Sequence, residues 1–467
     1  MWYTFFVFCM RWMFFDILTT RRVNLLMQPR KVSAPAFLAR AALAFFTSWA
    51  VLFLLLLGAY ALPGAPVRQN IARSAPTLQR EGLYPEFFGF KLFQMDNYTD
   101  TVMLFEAASA DETAPLTAMM TNTAYNVDNF ETLADDLAAY LAAREAGAPL
   151  PDTLEPFSYA RYWHGYLIWL RPLLCLMPYT GVRVVQYLVL AALLAGVLWG
   201  LRRQAGWRAA VWFAASQALV SVFFVPHQVQ FFTCFAIAYA GCCWVLAKPR
   251  GVRQLALALI VLGVATAFCD LLVTPILTLG LPVAVWLLCV PQRLAAGPRQ
   301  CAAVAAGSLC WGVGYGGCWA LKWVLAGAVT GQDVIGDAVR QIGVRTTGAT
   351  WHGIELTWGN ILRFVLDTLH SRGLFWPLAA VCVLALALFA LCLRGRQALA
   401  TALPLGLTAL MAPAWLALLR THSIQHGWFT WRALGVTLFA GLAFVSICCS
   451  WKTGLRRLTR RGRQQED

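Results

Sequence analysis

Apolar residues in this chain fall into long runs, separated by short basic stretches and by one long acidic one. Phe37 to Leu62, Val182 to Leu201, Trp207 to Val225, Phe231 to Ala247, Leu271 to Val290, Leu374 to Leu393 and Trp428 to Cys449 each approach or exceed the roughly 20 residues that carry a helix across a hydrocarbon core. A helix satisfies its own backbone hydrogen bonds in lipid, so these runs predict transmembrane helices. The expected fold is an all-α polytopic membrane protein of about ten spans, with a large extracytoplasmic first loop containing amphipathic helices.

Composition supports that class. Hydrophobic residues make up 60% of the chain and charged residues 13%, more apolar surface than a soluble domain can bury. The charges are also sorted by side. Twenty-one of the 37 basic residues lie in the amino-terminal segment, in short loops around Arg202, Lys248, Arg293 and Arg394, and in the tail after Lys452. By the positive-inside rule these face the cytoplasm, as do both termini. The net charge of +15 is therefore a topology signal, and no nucleic-acid partner is expected. All 14 cysteines lie in or beside apolar segments, which excludes a disulfide scaffold for the exposed loop.

Each span reverses the side, so the side of every loop tests the threading. A full crossing at Tyr166 to Tyr179 would place every later basic loop outside. Residues 165–181, interrupted by Arg171, Pro172 and Pro178, are accordingly read as interfacial or re-entrant. The resulting organisation is a cytoplasmic or interfacial segment 1–36, a first span 37–62, an acidic outer loop 63–164, the interfacial segment 165–181, a polytopic domain 182–450 and a basic tail 451–467. Met1 to Leu18 is apolar but broken by Arg11 and Asp16, and it lacks a small-residue cleavage site. It reads as an interfacial helix, with Met27 as an alternative start.

The outer loop holds 14 of the 22 acidic residues. Thr132 to Arg144 predicts an amphipathic helix with Leu133, Leu137, Tyr140 and Leu141 on one side. Asp96 and Asp100 stand four apart between aromatic and apolar flanks, where partial burial would suit a general base or a metal ligand. Helix capping by Asp96 is the plainer alternative.

Tyr159 to Tyr166 reads YARYWHGY. An interfacial aromatic belt explains Tyr162 and Trp163; Arg161 and His164 suit an anionic lipid phosphate better. Asp270 stands at an outer turn between two spans, where an unpaired acid is costly. Lys322, beside Trp323, either snorkels outward or partners Asp270 or a phosphate. His422 and His426 have the spacing of a metal pair but no HExxH glutamate, so a polar rim with Arg432 around an anionic ligand is the simpler account.

This layout resembles the GT-C superfamily of integral-membrane glycosyltransferases: a first span, a large acidic outer loop, then many spans with polar outer ends. The strings YARYWHGY, FCDLLVTPILTLGLP and HSIQHGWFTWR also resemble uncharacterised bacterial polytopic proteins of this kind. The WWDYG-type signature of oligosaccharyltransferases is absent. The resemblance implies a bacterial plasma-membrane enzyme that moves a sugar from a polyprenyl-phosphate donor to an extracytoplasmic glycan, lipid or protein. Asp96 or Asp100 would match the family's loop carboxylate, which acts on the acceptor or binds a divalent cation such as Mg or Mn. Arg161, Tyr162, Trp163, His164, Asp270, Lys322, His422, His426 and Arg432 would hold the donor. A secondary transporter, a lipid flippase and a non-catalytic scaffold are the competing classes.

Overall fold

A computed structural model describes residues 33–127, 130–248, 251–289, 297–347, 350–351, 353–450 and 453. The expectations for residues 1–32 and for most of the basic tail lie outside that range.

Helix α1 (Ala34–Tyr60) starts at Ser33, whose hydroxyl accepts from the Ala36 amide and so caps the first turn. The loop domain follows as α2 (Gly64–Ala72), α3 (Ala75–Glu81), α4 (Asn97–Ser109), α5 (Pro115–Thr121) and α6 (Leu133–Ala146). In α6 the residues Leu133, Leu137, Tyr140 and Leu141 are buried, on the side predicted by the apolar spacing. The short helix α7 (Leu167–Leu174) contains Pro172 and is not among the helices long enough to cross a membrane.

One feature departs from an all-α fold. Strands β1 (Thr123–Val127) and β2 (Leu154–Ser158) pair antiparallel, from Thr123 opposite Ser158 to Val127 opposite Leu154. Each strand is only five residues long, β2 contains a proline, and α6 lies between them, so no local alternation announces the pair. A two-residue pair, Thr350–Trp351 with Ile354–Glu355, is the only other sheet among the described residues.

The remaining chain is α8 (Tyr179–Gln204), α9 (Trp207–Leu219), α10 (Val229–Ala247), α11 (Val252–Cys269), α12 (Leu277–Cys289), α13 (Gly297–Thr330), α14 (Val334–Thr347), α15 (Trp358–Ser371), α16 (Phe375–Cys392), α17 (Arg396–Ala409), α18 (Met411–Leu418), α19 (Arg420–Gln425), α20 (Gly427–Thr430) and α21 (Gly435–Cys448). Among the described residues eight helices, counting Arg396–Leu418 and Gly427–Cys448 as one each, are long and apolar enough to cross a membrane. The chain is thus a polytopic membrane protein. Leu38, Leu43 and Leu54 on α1, with Trp376, Leu384 and Leu386 on α16, are exposed apolar side chains that a bilayer would cover. At thirteen residues, α9 and α12 are shorter than those eight.

The apolar run from Leu271 does not begin a helix at once. The Asp270 carboxylate accepts from the Val273 amide at 3.0 Å and Leu272 takes a positive φ of 66°, which turns the chain before α12.

Contacts sort the helix ends into two groups. At one end the Gln204 side chain donates to the Leu246 carbonyl, and Leu393 bridges to Cys449. At the other end the loop domain is docked. The Gly165 amide donates to the Phe268 carbonyl at 2.8 Å, and an added Cβ at Gly165 would lie 2.4 Å from that oxygen. Arg171 on α7 is wholly buried and donates to the carbonyls of Ala59 (2.9 Å), Leu62 (2.7 Å) and Ala107, which ties α7 to the first span and to α4.

Candidate functional site

The seam between the loop domain and the helix ends is polar and closed to solvent. Asp96 precedes α4 and caps it: Oδ1 accepts from the Thr99 amide and Oδ2 from the Thr99 hydroxyl, both at 2.9 Å. Oδ2 also accepts from Gln230 of α10 at 2.9 Å and from the Trp428 indole at 3.3 Å. Every one of these donors is neutral. Burial therefore dominates and holds the Asp96 carboxyl above the ordinary aspartate range, with the Thr99, Trp428 and Gln230 bonds opposing it.

Asp100, one turn on, serves the starts of two other helices instead of its own. Its carboxylate accepts from the Val229 amide at 3.1 Å, at the start of α10, and from the Tyr179 hydroxyl at the start of α8. Burial pushes it up to about 7, against the opposing Tyr179 bond and the Arg183 charge. Beside it, Arg183 donates to both oxygens of Glu81 at 2.8 and 3.0 Å and to Asn97 at 3.2 Å. The two carboxylates, four positions apart in sequence, are thus divided between different helix starts.

Trp428 connects Asp96 to the histidine pair. Its ring centroid lies 5.2 Å from that of His426, and the His426 and His422 centroids are 4.7 Å apart. His422 Nε2 stands 2.8 Å from the Leu272 carbonyl, which cannot donate, so Nε2 carries the proton and Nδ1 is left as an acceptor. Burial lowers His422 well below the usual histidine range and His426 to about 4, and Arg345 reinforces both shifts. Two neutral imidazoles do not attract an anion by charge. Asp270, two residues before Leu272, is pushed up to about 7 by burial despite its backbone bonds and the Cys234 thiol.

Arg432 is buried at the same seam, donating to the carbonyls of Trp428 and Gln94, each at 3.4 Å, with its guanidinium 4.3 Å from the Phe231 ring centre. Asp96, Asp100, Asp270, His422, His426 and Arg432 therefore lie along one seam.

The YARYWHGY string takes different partners. Arg161 pairs with Asp337 on α14 at 2.5 Å. Tyr162 packs edge-on to Trp319, centroids 4.8 Å apart. Trp163 stacks on Phe268 at 4.6 Å and donates to the Cys318 carbonyl. His164 lies 2.9 Å from Glu106 in a fully buried cluster with Tyr166, whose hydroxyl also meets Glu106. Lys322 donates to the carbonyls of Met119 (2.8 Å) and Met120 (3.2 Å), with Trp163 5.3 Å away. The side-chain bonds of Trp163 and Lys322 join the loop domain to α13, whereas those of His164 stay within the loop domain and the segment just after it. None of them reaches the His422/His426 pair. Arg345, close enough to act electrostatically on Tyr159 and on both histidines, links the string to that pair.

Among the described residues no three His, Cys, Asp or Glu side chains gather as a metal site. The oxygens of Asp96 and Asp100 already accept bonds from protein donors.

Glu106, Arg345 and Arg372 were not singled out from sequence, although Glu106 holds His164 and Tyr166, and Arg372, just after α15, donates to the Lys91 carbonyl and to Gln94 Oε1 at 3.2 Å. Glu106 could have been found as an acid inside an apolar helix, Leu104-Phe105-Glu106-Ala107-Ala108; nothing local distinguishes Arg345 or Arg372. No protein-family model, no curated protein and no solved structure matches the chain.

Proposed function

We propose that this protein is a membrane glycosyltransferase of the GT-C kind, transferring a sugar from a polyprenyl-phosphate donor to an extracytoplasmic hydroxyl. The observation that carries the reading is Asp96: a buried carboxylate held only by neutral donors, at the junction of loop domain and bundle, with its proton affinity raised by burial. Such a group is suited to take a proton from an acceptor hydroxyl, because raising a carboxylate's pKa makes it a stronger base. The hydroxyl oxygen then bonds to the anomeric carbon as the bond to the lipid phosphate breaks, and the electron pair leaves with the phosphate. Arg432 stands close enough to Asp96 to act on it electrostatically and supplies positive charge for the departing phosphate. His422 presents an unpaired, buried acceptor, Nδ1, which suits a sugar hydroxyl better than a phosphate oxygen.

Ten crossings, the eight long helices with α9 and α12, would put the seam outside and both termini in the cytoplasm. Polar groups concentrated at one end of the bundle favour this reading over a secondary transporter, whose binding groups sit near the bilayer midplane.

The test is Asp96→Asn, which keeps the shape and removes the base. Membranes carrying this variant at wild-type levels should lose transfer from a polyprenyl-phosphate sugar. Unchanged product would overturn the general-base assignment.

A further inference from the structure

The segment from Glu86 to Gln94 forms an aromatic finger, closed by a bridge between those two residues. Phe88 is 79% exposed at its tip and Phe90 61%. Two arginines grip its base. Arg372, just after α15, donates to the Lys91 carbonyl and to Gln94 Oε1 at 3.2 Å. Arg432 donates to the Gln94 carbonyl at 3.4 Å. Both guanidinium groups lie against one ring, Trp431, at 5.6 and 5.1 Å from its centre. Two like charges are thus brought onto one residue and one indole.

Their counter-charge is missing. Arg372 is 7% exposed and Arg432 1%, so water does little to screen either. Among the described residues neither has a carboxylate within 4.0 Å. Glu86 acts on Arg372 and Asp96 on Arg432, but only from a distance. Every hydrogen bond the two guanidiniums make goes to a neutral oxygen, and the buried Nε of each has no partner. A guanidinium offers five N–H donors in a fixed fork that matches an oxyanion.

We infer that Arg372 and Arg432 together form a binding site for one phosphate group, carried by a lipid headgroup or free in solution, at the base of the aromatic finger. The exposed phenylalanines stand beside it as an apolar surface for an acyl or prenyl chain. Arg432 is also the residue given to the departing phosphate, so the site deepens that reading; phosphate binding is read here without turnover, so its failure and a failure of the Asp96 base are told apart.

The test uses the full chain in phosphatidylcholine nanodiscs, with the unfolding midpoint Tm read against added inorganic phosphate, and in a second series against undecaprenyl monophosphate in the disc. A ligand that binds only the folded state raises Tm with concentration. The wild type should show a saturable rise, and Arg372→Gln and Arg432→Gln should each weaken apparent affinity about tenfold or more, the loss expected for a charge-assisted hydrogen bond. Arg372→Lys keeps the charge but not the fork, and it replaces the Gln variant if that one does not fold. A response to both probes supports a phosphate site open to solvent. A response to the lipid alone supports the same site and identifies the headgroup as its source. No wild-type response to either probe, or Gln variants that respond like the wild type, would overturn the proposal and leave the arginines as pins for the finger.

Discussion

Trp428 donates its indole N–H to Asp96 across 332 positions of chain, joining the carboxylate that starts α4 to α20, just before the last helix of the bundle. This bond favours the charged carboxylate, in opposition to burial. Trp428→Phe should therefore raise the Asp96 pKa further and move the alkaline-rising limb of any Asp96-dependent activity to higher pH. A pH–rate profile identical to wild type would mean that the indole bond does not tune the base.

Asp100 and Asp270 both hold their protons up to about 7, against an ordinary 3.8, because burial disfavours the charged form. A carboxyl whose folded-state pKa is raised adds stability that is complete below the unfolded pKa and is lost as pH rises through the folded one. The Tm of the wild type should accordingly fall between about pH 4 and 7. Asp100→Asn should flatten that slope and leave the Asp270 share. An unchanged slope would show that Asp100 does not titrate in this range.

The long runs and the α6 amphipathic pattern were readable because lipid burial and helical periodicity are local constraints. The seam was legible only in part. Asp96 and Asp100 are visible as a spaced pair, but their division between different helix starts depends on Val229 and Tyr179, more than 75 residues away. The histidine spacing predicts adjacency and not charge; burial and Arg345 decide that these rings are neutral. A basic residue such as Arg372 looks like any loop arginine until the fold sets it beside Arg432.

Arg171 illustrates the same point in the core. Its three carbonyl acceptors come from α1, the turn after it, and α4. Arg171→Leu should cost on the order of 3 kcal/mol or more, since it leaves buried carbonyls unpaired. Lysine should not restore it, because one ammonium cannot reproduce the planar fork. Thermal unfolding in detergent is the measurement, and a full rescue by Lys would show that charge alone suffices.

Orientation is the last expectation and the one on which the outer location of the seam depends. Glu145 is exposed at the end of α6, on the loop-domain side, and Arg396 is exposed at the start of α17, at the opposite end of the bundle. Twenty-one basic residues lie in segments that the positive-inside rule assigns to the cytoplasm, and Arg396 is one of them. In a background whose reactive native thiols, including the exposed Cys382, are replaced, Glu145→Cys should react with an impermeant thiol reagent added to intact cells. Arg396→Cys should react only after the membrane is opened. The reverse pattern would place the acidic loop in the cytoplasm, where a sugar on an outward-facing polyprenyl phosphate could not reach it, and both the base assignment for Asp96 and the glycosyltransferase reading would fall together.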